Sequence, residues 1–117
     1  MNLLRFKAPA LIELVTPTAA PGLFAIPLTR DVKVINAFGF ASAAVEGVSA
    51  FQVYSVYSGQ RHNITAAVAL EGGKTSYVTD IFAEETILRT GWTLGIEVFG
   101  PTQASIYVWV IPLPKSA

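Results

Sequence analysis

The sequence predicts an all-β fold: an antiparallel β-sandwich of about eight strands preceded by an extended amino-terminal arm. Three observations predict it. Short runs rich in Val, Ile, Phe, Tyr and Thr recur at fairly regular intervals between turn residues, which is the pattern of a sandwich or barrel. No segment sustains a helical period. The 117 residues suffice for one hydrophobic core and are too few for two.

Residues 1–21 read as the arm. Pro9, Pro17 and Pro21 each remove a backbone donor, and Thr16-Pro17-Thr18 favours an extended or turn conformation. Within the arm, Ala10 to Val15 reads as one short strand. Arg5 and Lys7 before this apolar stretch have the outline of a signal peptide, but Pro9 and Glu13 interrupt it, so the segment does not read as one. The sandwich domain then occupies residues 22–117. Leu23 to Leu28 is its first strand, restricted to an edge or bulge by Pro27. Val32, Val34, Phe38 and Phe40 recur at even positions and predict one apolar face, with Asn36 as the exception. In the next run Phe51, Val53 and Ser55 alternate with Gln52, Tyr54 and Val56, so both faces are expected to be covered.

Ile64, Ala66, Val68 and Leu70 form one face of a strand that ends at Glu71-Gly72-Gly73-Lys74, with Thr75 to Phe82 following. Gly-Gly supplies the positive φ angles of a primed turn, which predicts a hairpin here. A second hairpin is predicted between Trp92–Phe99 and Ala104–Ile111 across Gly100 to Gln103, where Pro101 presets φ at a turn position. Pro112 and Pro114 stop the last strand. The count reaches about eight, the number of a jelly roll.

Composition narrows function. Hydrophobic residues make up 52% of the chain and charged residues 14%, against about 25% charged in an ordinary soluble domain. Such a chain exposes apolar surface when alone and is expected to be a subunit of an assembly. Eight basic and eight acidic residues are scattered along it with zero net charge, so no basic stripe offers phosphate neutralisation and nucleic acid is not an expected partner. The absence of cysteine excludes disulfides and thiolate metal sites. Pro, Gly or a charge breaks every apolar run before the roughly 20 residues of a membrane-spanning helix, so no membrane partner is expected.

No catalytic, metal-binding or cofactor-binding residue is predicted. His62 is the sole histidine and lies in the polar stretch Ser58 to Asn63, read as a loop; one histidine cannot build a His-rich zinc site. Asn63-Ile64-Thr65 matches a glycosylation sequon, which matters only in a secreted eukaryotic protein. Gly73-Lys74-Thr75 has the ending of a phosphate-binding loop, but Val68 stands where that pattern needs glycine. Glu84 and Glu85 are neighbours that point to opposite faces of an extended chain, so they read as solvated charges. Among the aromatics, Tyr57 and Trp92 are the candidates for a ligand or interface role, Trp92 because Thr90-Gly91-Trp92 lies at a strand entrance near a turn.

The segment Ile87 to Gly100 followed by Ala104 to Ile111 resembles the closing strands of small jelly-roll phage virion proteins. In that group a Gly-Asp-x-Leu turn leads into a strand, a glycine turn and a last strand of alternating apolar residues. Gly91, Leu94 and Gly100 fit, while Trp92 stands in place of the Asp. The resemblance covers 60 to 80 residues by pattern. It implies a non-enzymatic subunit on the capsid surface, either a decoration or cement protein, often trimeric, or a fibre head.

The leading expectation is therefore a homotrimeric cement protein that binds the major capsid protein. Leu3, Leu4, Phe6, Leu11, Ile12, Leu14 and Val15 are expected to be the buried contacts of its arm. The alternative is a carbohydrate-binding module or receptor-binding tip. There Trp92 or Tyr57 would stack on a sugar, and Arg61, His62 and Asn63 would add hydrogen bonds.

Overall fold

A computed structural model describes residues 10–15, 22–41, 49–100 and 104–114. Among them are ten strands: β1 (Ala10–Val15), β2 (Gly22–Pro27), β3 (Val32–Phe40), β4 (Ala50–Tyr57), β5 (Gln60–Asn63), β6 (Val68–Ala69), β7 (Thr75–Tyr77), β8 (Ile87–Leu88), β9 (Thr93–Phe99) and β10 (Ser105–Pro112). A short 3-10 turn covers Ala83–Glu85. No helix of the described residues is long and apolar enough to cross a membrane.

All strand pairs are antiparallel and fall into two sheets. The first has the order β1-β10-β3-β7, with β8 also on β3; the second has the order β2-β9-β4-β5, with β6 also on β4. Because β5 and β6 share one partner strand, and β7 and β8 another, the ten segments occupy eight strand positions, four in each sheet. The chain enters the two sheets alternately through β1, β2, β3 and β4. This is the jelly-roll form of the antiparallel sandwich.

The core lies between the sheets and follows the two-residue period of strands. Leu94, Ile96 and Val98 of β9 face Ile106, Val108 and Val110 of β10 across the sandwich, all buried, with Phe51 and Val53 beside them. On β4 both faces are indeed covered, since Tyr54 on the outer side is buried as well.

Three sequence expectations are corrected. First, the even-numbered face of β3 does not persist. Trp109 pairs with Asn36 and Val110 with Val34, so Ile35 is an extra residue in a β-bulge. A bulge shifts alternation by one. Val32 and Val34 stay inward, but beyond the bulge the small residues Ala37, Gly39 and Ala41 turn inward, and Phe38 and Phe40 turn outward. Asn36 accepts the Ala37 N–H on its Oδ1 at 2.8 Å, occupying a backbone donor beside the bulge.

Second, neither predicted hairpin is one. The turn Glu71 to Lys74 exists, with Gly73 at φ +71° and a Lys74 N–H bond to the Glu71 carbonyl at 3.2 Å. It carries the chain from β6 in the second sheet to β7 in the first. Likewise β9 belongs to the second sheet and β10 to the first. Both reversals bridge the sandwich, because each strand finds its partners through the inner-face packing of the whole domain.

Third, the polar stretch read as a loop is half of a true hairpin. Ser58 and Gly59 have φ of 54° and 71°, the two positive angles that a type I′ turn needs, and Gln60–Asn63 pairs back onto β4 as β5.

The short strand expected inside the arm is β1. It pairs with β10 from Ala10 opposite Val110 to Val15 opposite Ser105 and forms one edge of the first sheet. Leu11, Ile12, Leu14 and Val15 lie on it; Leu3, Leu4 and Phe6 fall outside the described residues. Leu23 to Leu28 is confirmed as an edge strand, β2, which pairs with β9 alone.

Candidate functional site

The β4–β5 hairpin sets His62 directly opposite Ser55 and carries it next to Tyr57. The Tyr57 and His62 rings stack at 3.8 Å with planes 5° apart, and the Tyr57 and Trp92 rings stack at 3.8 Å and 17°. Two nearly parallel rings so close to a third cannot share one of its faces, so His62 and Trp92 cover opposite faces of Tyr57. Trp92 is held at the entrance to β9, where its carbonyl accepts the Leu28 N–H at 2.8 Å and its own N–H closes a turn on Arg89 at 3.1 Å. Its ring also packs against the core. On His62, Nδ1 lies 3.9 Å from Glu85 Oε2, so Glu85 is not the purely solvated charge expected.

Sequence reasoning singled out Tyr57 and Trp92, and the structure brings them together. The stack also bears on Tyr57 as an expected sugar platform. A stacking platform needs an open ring face, and Tyr57 has neither. Ser55, His62 and Glu85 follow one another in the order of a hydrolase triad. Yet Ser55 is 1% exposed and its buried hydroxyl makes no hydrogen bond, so it is neither activated by the imidazole nor open to a substrate.

The outer face of the second sheet is equally self-contained. Arg61 lies over the Tyr54 ring, 4.2 Å from its centroid. It donates to Glu97, to Gln52 Oε1 at 3.1 Å and to Asn63 Oδ1 at 2.9 Å. Gln52 in turn donates to the Thr65 carbonyl at 2.9 Å. Burial raises the pKa of the Tyr54 phenol above its ordinary value; Arg61 pulls it down and Glu97 pushes it up. Arg61 and Asn63, expected as hydrogen-bonding groups for a sugar, are thus bonded to each other.

The outer face of the first sheet is different. Phe38, turned outward by the bulge, stacks on Tyr107 at 4.9 Å and 17°, and lies tilted at 5.8 Å from Tyr77. Phe40, Trp109 and Ile111 continue the same face by strand alternation. Tyr77 is 59% exposed. Sequence reasoning missed this cluster, and the one signal for it was Asn36 interrupting an otherwise apolar face.

At the turns below, Asp31 fastens two connections together. Its Oδ1 accepts from the Thr90 N–H at 2.8 Å and the Thr90 hydroxyl at 2.9 Å, and its Oδ2 lies 3.1 Å from Arg89. The Thr90 N–H bond and then the Thr90 hydroxyl hold the carboxyl below its ordinary value against the opposing effect of burial, with lesser help from Arg89. Among the described residues no three His, Asp or Glu side chains gather as metal ligands would.

The fold and these surfaces define the class: a jelly-roll β-sandwich with an aromatic outer sheet face. No protein-family model and no curated protein matches the chain. Two solved structures align with it. A chain in the structure of infectious bursal disease virus Gx strain is 12% identical over 88% of this chain and 32% of that one, with a TM-score of 0.37. A chain in the structure of the Gt strain is 11% identical over 90% and 31%, with a TM-score of 0.38. This chain spans about a third of the length of those chains. Likenesses of that size carry no argument about it, and its fold rests on its own strand pairing.

Proposed function

We propose that this chain is a non-enzymatic structural subunit of a virion: a decoration or cement protein that trimerises on the outside of a phage head and bridges units of the major capsid protein. One observation carries the reading. The polar and aromatic groups that could serve a small ligand are committed to one another around Tyr57 and Arg61, while the first sheet turns an aromatic face outward. The low share of charged residues, 14%, supports a protein whose free energy comes from contacts with neighbours.

Cementing follows from multivalency. Each contact with the capsid is modest, but once one is made the next forms within the same assembly at high effective concentration. Residues 1–9 join the sandwich at Ala10, where β1 meets the end of β10. In this reading they reach the neighbouring capsid subunits through Leu3, Leu4 and Phe6.

The test is co-sedimentation with heads that lack the protein. Full-length chain binds and raises the temperature at which the heads rupture. A chain without residues 1–9, which keeps all of β1, stays folded and binds far less. Full binding by that chain removes the arm from the mechanism, and heads that gain no heat resistance from the full chain overturn the cementing role.

A further inference from the structure

We infer that the outer face of the first sheet is the surface through which copies of this chain meet one another. The inference rests on the reading of the chain as an assembly subunit and names the surface involved. It starts from the bulge at Ile35. Without that extra residue, regular alternation would send Phe38 and Phe40 into the core; with it, both rings face out and join Tyr77, Tyr107 and Trp109. Rings gathered on one exposed face mark an interaction surface.

Size and charge both point to a second copy. With strands about 4.8 Å apart and about 3.4 Å per residue, the nine residues of β3 and four strand positions span roughly 30 by 19 Å, or about 600 Å². That approaches the ~800 Å² each partner contributes to a standard interface. Closed symmetric assemblies bring each side chain near its own copies, so a self-associating face keeps like charges away from its centre. Lys33 sits at the end of β3 away from the rings, and Glu13 lies on the edge strand β1 at the register position opposite Tyr107. The second sheet's outer face, by contrast, carries Glu97 on the inner strand β9, paired with Arg61 of β5.

Light scattering of the full chain is expected to give a multiple of the 12.5 kDa subunit mass. Tyr77→Glu and Phe40→Glu each bring like charges together and drop the mass to 12.5 kDa with an unchanged β-sheet spectrum. Leu23→Glu, at a position 62% exposed on the opposite face, leaves the mass as it was. Should the glutamate variants misfold, a spin label on Thr75→Cys, in a chain with no other cysteine, reads the contact directly. Dipolar coupling between copies labelled there, and none at Gln60→Cys, is expected.

A monomeric wild type, or an oligomer broken by Leu23→Glu but not by Tyr77→Glu, overturns the inference. So does a monomer that associates once residues 1–9 are removed, since its own amino terminus would then be the occupant. A monomer that still binds and stabilises heads defeats this inference alone; an oligomer that ignores heads defeats the proposed function alone.

Discussion

The ring of Tyr54 lies across Gly95 on the neighbouring strand, so closely that a Cβ on Gly95 would fall 2.3 Å from Tyr54 Cζ. Arg61 covers the other side of the ring, leaving it nowhere to retreat. Gly95→Ala is therefore expected to destabilise the fold by about 1–3 kcal/mol, the usual cost of overpacking. Combined with Tyr54→Leu the penalty shrinks, because the two changes share one contact. Denaturant unfolding of the two single variants and the double variant measures it, and additive losses would show that the ring moves aside freely.

The Trp92-Tyr57-His62 stack is expected to be structural. Trp92→Ala removes a ring that touches both Tyr57 and the core, and should cost about 2 kcal/mol or more. His62→Ala removes only the outer ring of the stack and should cost about 0.5–1.5 kcal/mol. Thermal melting followed by circular dichroism reads both. A Trp92→Ala chain with an unchanged melting temperature and a lost glycan affinity would return that residue to ligand binding.

Asp31 makes stability depend on acid. Its folded pKa lies below the ordinary value of 3.8, so the native state favours the carboxylate. The stabilisation is fully present above that ordinary value and is lost as pH falls through the lower folded one. Asp31→Asn should melt below the wild type near neutral pH, and the gap should close on acidification below 3.8. A gap that stays constant through that range would mean that the Thr90 and Arg89 contacts do not distinguish the charged form.

Asn36 is expected to support the bulge through its bond to the Ala37 N–H. Asn36→Ala should cost about 0.5–1.5 kcal/mol, the net worth of one hydrogen bond. Hydrogen exchange at Ala37 should accelerate more than exchange in β9. Equal protection in both variants would mean that Ala37 finds another acceptor.

The strands of this protein were legible because burial between two sheets imposes a two-residue period on them. The alternation of Leu94, Ile96 and Val98, and of Ile106, Val108 and Val110, is visible in the sequence and reappears as the core. The hairpin at Ser58-Gly59 was hidden because β5 is a polar edge strand, and Gln60 to Asn63 lack the apolar alternation that announces a covered one.

Turn chemistry placed the reversals at Glu71 to Lys74 and at Gly100, since Gly73 and Gly100 carry the positive φ such reversals use. It could not say which sheet received the following strand. Strands of either sheet bury the same kind of face, and the choice between them belongs to partners distant in sequence.

The sequence by itself thus determined the class of fold, the positions of the longer strands and the poverty of charge. Only the tertiary structure decided that β9 and β10 lie in opposite sheets, that His62, Tyr57 and Trp92 form one stack, and that Phe38 and Phe40 face outward. A single bulged residue reverses every side chain beyond it, and whether Ile35 bulges is settled by its pairing with β10, not by its own neighbours.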